Sequence, residues 1–350
     1  MIPRSAPTWQ SESSPNWQEQ LQQAINEPLE LLKTLNLDES LLPAAHIASQ
    51  QFPLRVPHAF VKRMEVGNPK DPLLRQVLPI EDELITSTGY SSDPVQEQGN
   101  SPAGMINQKG LIQKYQGRIL LLVNGHCAIN CRYCFRRHFP YEENKLSREQ
   151  WLIAISQIAE DNSIEEVIYS GGDPLASSDK QLQWLTEQIA AIPHVKRLRI
   201  HSRLPVVIPD RITDNCLDWL SNHRLQTIFV LHINHPNEVD SALIQSIQRL
   251  KSAGITLLNQ AVLLRGVNDS VETLKSLSET LFSIGILPYY LHLLDPVQGA
   301  AHFDISLAEA EDIHKGLLDT LSGYLVPKLV KEVGGATSKT PIDSLRLQPV

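Results

Sequence analysis

The sequence predicts an α/β fold, a partial TIM-like barrel of six βα units behind a partly helical N-terminal region. Two observations carry that prediction. From residue 118 onward, short β-branched apolar runs alternate with amphipathic helical stretches. Ser170, Ser202 and Asn234 also fall just past successive runs, 32 positions apart each time (202 − 170 and 234 − 202). A βα repeat of that length implies a parallel sheet with right-handed crossovers.

Residues 1–110 are Pro-rich and read as a partly helical lead-in. Trp17, Leu21, Ile25 and Leu32 form an apolar helical stripe there, interrupted by Pro28, whose natural role is packing against a core. Residues 83–110 have loop composition without a clear period. The core, residues 111–325, carries the strands RILLLVN, EEVIYSGGDP, RLRIHSR, TIFVLHINH, ITLLNQAVLLRG and LPYYLHLLD. Capping boxes at Ser147/Gln150 and Ser306/Glu309 open two of the intervening helices. Residues 326–350 form a short C-terminal segment.

With 350 residues and 42% hydrophobic content, the chain is long enough for a large barrel core. A net charge of -8 with no basic face argues against a nucleic-acid ligand. The start, MIPRSAPTWQ, lacks the apolar stretch of a signal peptide, and Ile119 to Val123 is too short to cross a bilayer. A cytoplasmic protein is expected, with no membrane partner. In that reducing compartment, clustered cysteines point to a metal site before disulfides.

Polar residues gather just past the strand ends: Cys127, Gly171, Gly172, Asp173, Ser202, Arg203, His232, Gln260 and Asp295. In a βα barrel this is the C-terminal face, where active sites are built. Cys127, Cys131 and Cys134 are spaced C-x3-C-x2-C, and no fourth cysteine lies nearby. A structural zinc site wants four ligands. A redox pair would leave Cys127 unexplained. The spacing favours a [4Fe–4S] cluster on three thiolates, with one iron open to another ligand. Cys216, in DNCLDWL, reads as a small buried hydrophobe.

This spacing after a first barrel strand, with Phe135 beside the last cysteine, resembles the radical S-adenosylmethionine superfamily. The resemblance implies that the open iron chelates the amino and carboxylate groups of S-adenosylmethionine. The reduced cluster then cleaves the sulfonium to a 5′-deoxyadenosyl radical. SGGDPL (170–175) resembles the element that receives the methionyl amino group, which implies roles for Gly171, Gly172 and Asp173.

From about residue 58 onward the chain also resembles the lysine 2,3-aminomutases. The resemblance rests on NPKDPLLRQVLP, KYQGR, CRYCFRR, SGGDPL, RIHSRLPVVIPDRIT, HINHPNEV, NQAVLLRGVND, LPYYLHLLD and GGATSKTP, in that order. CFRRHFPY, YYLHLLDPVQGAAHF and the short tail after SKTP are most similar to the branch that makes (R)-β-lysine for modification of elongation factor P.

What this implies can be placed residue by residue. Lys339 holds pyridoxal 5′-phosphate as an internal Schiff base, with Arg118, Arg203 and Tyr115 around that cofactor. Guanidinium forks suit its phosphate. Arg136 clamps the substrate carboxylate, a natural bidentate role. His232 and Gln260 contact the adenosyl moiety, and Asp295 and Glu332 recognise the far amino group of L-lysine. Catabolic members have Asp where Glu332 stands, and they carry a zinc site beyond the pyridoxal lysine. With no cysteine after Cys216, no zinc is expected here. The implied partners are L-lysine, an electron donor such as flavodoxin or ferredoxin, and elongation factor P with its lysine ligase. The rival readings are an aminomutase for another amino acid such as glutamate, a catabolic lysine 2,3-aminomutase, and a zinc-stabilised binding module. Two acids at 295 and 332 would repel a glutamate side chain.

Overall fold

The computed structural model describes residues 16–97 and 108–342. The N-terminal decapeptide and the end of the C-terminal segment lie outside these residues. Among the described residues the chain passes through α1 (Trp17–Gln22), α2 (Pro28–Thr34), α3 (Leu42–Gln51), α4 (His58–Val61) and α5 (Pro72–Arg75). A hairpin of β1 (Leu111–Tyr115) and β2 (Arg118–Asn124) follows. Then come α6 (Arg148–Glu160), β3 (Glu166–Gly171), α7 (Asp179–Ala190), β4 (Arg197–Ser202), the single turn α8 (Leu204–Val207) and α9 (Asp214–Ser221). The chain continues through β5 (Gln226–His232), α10 (Ser241–Ser252), β6 (Thr256–Val262), α11 (Val271–Ser283), β7 (Leu287–His292), α12 (Leu307–Thr320), β8 (Lys328–Lys331) and β9 (Thr340–Pro341).

All six expected strands are present, as β2 to β7, each followed by a helix. The sheet order runs β1 to β9, with β2 to β8 parallel and an antiparallel strand at either edge. The barrel is therefore partial, as expected, and it runs from edge to edge without closing. The sequence reading missed β1, β8 and β9 because they are short. Gly117, at φ +75, makes the tight β1–β2 connection that the motif KYQGR conceals.

Register brings buried residues into rows. Leu121 pairs with Tyr169, Tyr169 with Ile200, Ile200 with Phe229, and Phe229 with Leu257. Further along, His232, Gln260 and Tyr290 are register neighbours, so three polar side chains meet at the C-terminal edge of the sheet. The helices cover the sheet with stripes at helical spacing. In α6, Trp151, Ala154, Ile155 and Ile158 are buried, and each large one stabilises the fold by about 1.5–3 kcal/mol. Both expected capping boxes form, at Ser147 and Ser306.

The N-terminal stripe is two helices, not one broken helix. Pro28 begins α2 at its first position, where a missing N–H costs nothing. Trp17, Ile25, Leu31 and Leu32 join the same core as the barrel residues. Among the described residues, no helix is long and apolar enough to cross a membrane.

The loop between β2 and α6 carries the cysteines and has little regular structure, so long-range contacts hold it. Glu83 accepts from Arg132 Nε at 2.8 Å and Nη2 at 2.5 Å, and from Arg137 Nη2 at 2.8 Å. All three side chains are buried to within 1%. Glu83→Gln keeps the shape but removes the charge two arginines depend on. A loss of about 3–5 kcal/mol in urea unfolding is expected, with the midpoint falling accordingly. A change near zero would show that water reaches this pair.

Candidate functional site

Cys127, Cys131 and Cys134 lie close enough to affect one another. Burial pushes the Cys127 thiol well above its usual range, with Cys134, Asp173 and Cys131 adding to the effect. Burial and Cys131 push Cys134 up to about 11. Among the described residues, no three His, Cys, Asp or Glu side chains converge tightly enough to hold a single metal ion. Three half-buried cysteines on one loop, with no fourth cysteine beside them, would suit the three protein ligands of an iron–sulfur cluster. Cys216 is fully buried in α9 and pushed up to about 12 by burial, as befits a core residue.

The glycines after β3 set this loop's position. Gly171 has φ +119, and a Cβ there would lie 2.4 Å from Asn124 O. At Gly172 a Cβ would lie 2.7 Å from His126 O. Only glycine permits this approach, which Gly172 N–H to Asn124 O (2.6 Å) and Asp173 N–H to His126 O (2.8 Å) complete. Asp173 itself accepts from Ser202 Oγ (2.7 Å) and from the backbone N–H of Leu175, Arg203 and Leu204. Its carboxylate therefore braces the β3 and β4 turns, and the glycine backbone is the part of SGGDPL that lies against the cysteine loop.

Beside this region, Gln260 Nε2 and His232 Nε2 are 3.0 Å apart, and His201 meets the His232 ring edge-on. Burial holds His232 down at about 3, helped by Arg203, Arg136 and Lys339, and His201 well below its ordinary range. Both imidazoles are neutral near pH 7, suited to hydrogen bonding rather than charge pairing.

A second polar cluster surrounds Lys339. Its ammonium donates to Glu332 Oε2 at 2.5 Å and lies 5.8 Å from the Tyr290 ring centre. Tyr115 Oη donates to Glu332 Oε1 at 2.7 Å, and Lys114 reaches the same oxygen at 3.5 Å. Arg118 packs its guanidinium 4.8 Å from the Tyr115 ring centre. Burial pushes the Glu332 carboxyl up, but Lys339 and Lys114 outweigh it and hold the group down at about 2. Asp295 has no such partner, and burial with the Glu332 charge pushes it up to about 7. Arg118 Nε, His292 Nε2 and Asp295 Oδ1 are buried without a hydrogen-bond partner among the described residues. Orphaned donors and acceptors around a lysine amine fit a polar, phosphate-bearing ligand.

The structure thus joins Tyr115, Arg118, Glu332 and Lys339, with Asp295 in their electrostatic reach. It separates Arg203 from that group. Arg203 donates to Cys131 Sγ at 2.8 Å, to Tyr133 Oη, to Gln76 Oε1 and to Glu238 Oε2, so it belongs to the cysteine side and not to the pyridoxal surroundings expected for it. Arg136 is bidentate to Glu97, at 2.6 and 3.0 Å, and Lys114 also pairs with that carboxylate. Glu97, Lys114, Glu238 and His292 escaped the sequence reading. Lys114 and Glu238 lie inside the motifs KYQGR and HINHPNEV and could have been noticed. Glu97 lies in a stretch of loop composition with no signal.

Residues 121–277 match the model of the radical SAM superfamily. The chain is 52% identical to the L-lysine 2,3-aminomutase of Escherichia coli (strain K12), covering 96% of this chain and 97% of that one. It is 51% identical to the L-lysine 2,3-aminomutase of Haemophilus influenzae, covering 93% and 95%. Among solved structures, a radical SAM methyltransferase from Sphaerobacter thermophilus aligns over 67% of this chain and 73% of its own, with a TM-score of 0.46 and 18% identity.

The raised Asp295 carboxyl gives a pH-dependent stability with a definite sign. Below about pH 4 the group is protonated folded or unfolded. Between there and pH 7 only the unfolded chain releases the proton, so Asp295 destabilises the fold increasingly as pH rises. Asp295→Asn removes that loss. Its advantage over the native chain should grow from pH 4 to about 7, reach a few kcal/mol, and stay flat above. Urea unfolding across that range, without ligands, measures it. A pH-independent difference would mean that Asp295 titrates as an ordinary carboxylate.

Proposed function

The chain belongs to the lysine 2,3-aminomutase family of radical S-adenosylmethionine enzymes, and on that premise we propose a specific reading of its site. It converts L-lysine to (R)-β-lysine with pyridoxal phosphate carried on Lys339, and supplies the β-lysine that a lysine ligase attaches to elongation factor P. It works in the cytoplasm with a flavodoxin or ferredoxin as electron donor. When bound, the [4Fe–4S] cluster with S-adenosylmethionine supplies a hydrogen-abstracting radical, and pyridoxal phosphate supplies the carbonyl that engages the migrating amino group.

The remaining work falls to the protein. Cys127, Cys131 and Cys134 hold the cluster, while His232, Gln260 and the Gly171–Gly172 backbone hold S-adenosylmethionine. Arg118, packed on the Tyr115 ring, would take the phosphate of pyridoxal phosphate, and Tyr115 orients Glu332. Arg136 takes the substrate carboxylate in place of Glu97, which offers it the same two-oxygen face. Asp295 and Glu332 receive the far ammonium. The observation that carries the reading is the half-buried charge set in which Lys339 and Lys114 are both drawn to Glu332 while Asp295 Oδ1 has no partner among the described residues. A ligand bringing a cation to Asp295 completes it, and lysine does. A glutamate side chain would add a third carboxylate.

Anaerobic reconstitution with iron, sulfide and pyridoxal phosphate, then chiral analysis of the product from lysine, tests the proposal. (R)-β-lysine is expected. The S enantiomer would detach the chain from the elongation factor P branch, and absence of β-lysine would defeat the reading. Lys339→Ala should keep its iron and still cleave S-adenosylmethionine, yet lose borohydride-fixed pyridoxal and all β-lysine formation. A variant that still fixes pyridoxal would transfer the cofactor to another lysine.

Glu97→Gln weakens the competitor for Arg136. The KM for lysine should fall several-fold, with some loss of fold stability because Arg136 is left less well paired. An unchanged KM would place the substrate carboxylate elsewhere.

A further inference from the structure

We propose that Arg203 is a positioning residue of the iron–sulfur site, donating a charge-assisted hydrogen bond to the Cys131 sulfur that makes the cluster easier to reduce. The inference rests on Cys131 being a cluster ligand. Arg203 comes just past β4, two strands from the β2 end that leads into the cysteine loop, and its side chain is 5% exposed. Four acceptors fix its fork. Nη1 lies 2.8 Å from Cys131 Sγ and 2.6 Å from Tyr133 Oη, while Nη2 lies 2.6 Å from Gln76 Oε1 and 3.0 Å from Glu238 Oε2. The Phe60 ring backs the guanidinium at 5.4 Å.

The acceptors are themselves held. Glu238 is fully buried and accepts the backbone N–H of Asn234 and His235, and Gln76 Nε2 donates to it. Asn234 Nδ2 donates to both Gln76 Oε1 and Tyr133 Oη. With these positions occupied, Nη1 has little freedom to leave the sulfur.

The arrangement is costly as mere packing. A neutral thiol is a weak acceptor, and a buried guanidinium is a poor partner for it. The geometry suits a sulfur that carries negative charge, as a metal-bound thiolate does. Glu238 offsets the buried charge from the opposite end of the fork, so the cation faces the sulfur and the anion does not. An electron added to the cluster increases negative charge on its sulfurs and strengthens the Arg203 bond. Hydrogen bonds to the sulfurs and local charge are among the factors that set such potentials.

The test uses the full chain reconstituted anaerobically with iron, sulfide and pyridoxal phosphate, without lysine. The readouts are iron per chain, bound pyridoxal, and the cluster midpoint potential from a titration followed by electron paramagnetic resonance. Arg203→Gln should keep its iron and pyridoxal while its potential shifts to more negative values. Arg203→Lys, which keeps the charge without the fork, should recover part of that shift. Glu238→Gln removes the offsetting anion and leaves the sulfur bond, so its potential should move the opposite way, to more positive values. A structural role alone would not give two variants of one ion pair opposite signs. The proposal is overturned if Arg203→Gln retains iron at an unchanged potential, if all three variants lose iron alike, or if Arg203→Gln loses pyridoxal selectively. A native chain that takes up no cluster would instead defeat the functional reading beneath it.

Discussion

The cysteine loop has to present three thiols at one place with almost no backbone regularity to hold it, and buried carboxylates supply the hold. Glu83 takes Arg132 and Arg137, and Glu97 takes Arg136, so every arginine of CRYCFRR is anchored from outside the loop. Glu238 takes Arg203, which also donates to Cys131 Sγ. Taking such charges out of water is expensive, and the pairs offset that cost only while both partners remain. The loop geometry therefore depends on acids supplied by the N-terminal region and by the turn after β5. The N-terminal helices share the barrel's apolar core, which fixes the segment that supplies Glu83 and Glu97 against the barrel.

At the other end of the site the electrostatics are deliberately uneven. Two carboxylates, Asp295 and Glu332, compete for the Lys339 ammonium, and Glu332 wins it with support from Lys114 and Tyr115. Asp295 is left buried and hard to ionise. Perturbed acids of this kind cluster where a protein expects a ligand. A cation arriving near Asp295 would be met by a carboxylate that has most to gain from it. The neutral histidines between the two regions keep extra positive charge out of the space between the cysteines and Lys339.

The family assignment and this electrostatic picture support each other from different directions. Similarity near 50% along the whole described barrel names the reaction class. The distribution of charge is the observation on which the proposed substrate orientation rests. Arg136 and Lys114 sit by one carboxylate, Glu97, and the acids Asp295 and Glu332 sit by Lys339. Lys114 bridges the two groups, pairing with Glu97 at 3.1 Å and reaching Glu332 at 3.5 Å.

The sequence by itself determined the six core strands, both capping boxes, the three cysteines and the buried character of Cys216, because each is written in neighbours a few residues apart. Strand alternation, an N-cap bonded three residues on, and C-x3-C-x2-C are all local patterns. Through resemblance it also placed Tyr115, Arg118 and Arg203 around Lys339 and paired Asp295 with Glu332, and the structure added Glu332 to the Lys339 group and took Arg203 out of it. Only the tertiary structure decided the partners of the arginines. Arg203 and Gln76 are 127 residues apart, Arg203 and Cys131 are 72 apart, and Tyr115 and Glu332 are 217 apart. The short strands β8 and β9 likewise became visible only through their neighbours. A guanidinium can serve a phosphate, a carboxylate or a thiolate with the same fork. Its role is set by whichever acceptor the fold carries to it, and that acceptor leaves no mark on the sequence beside it.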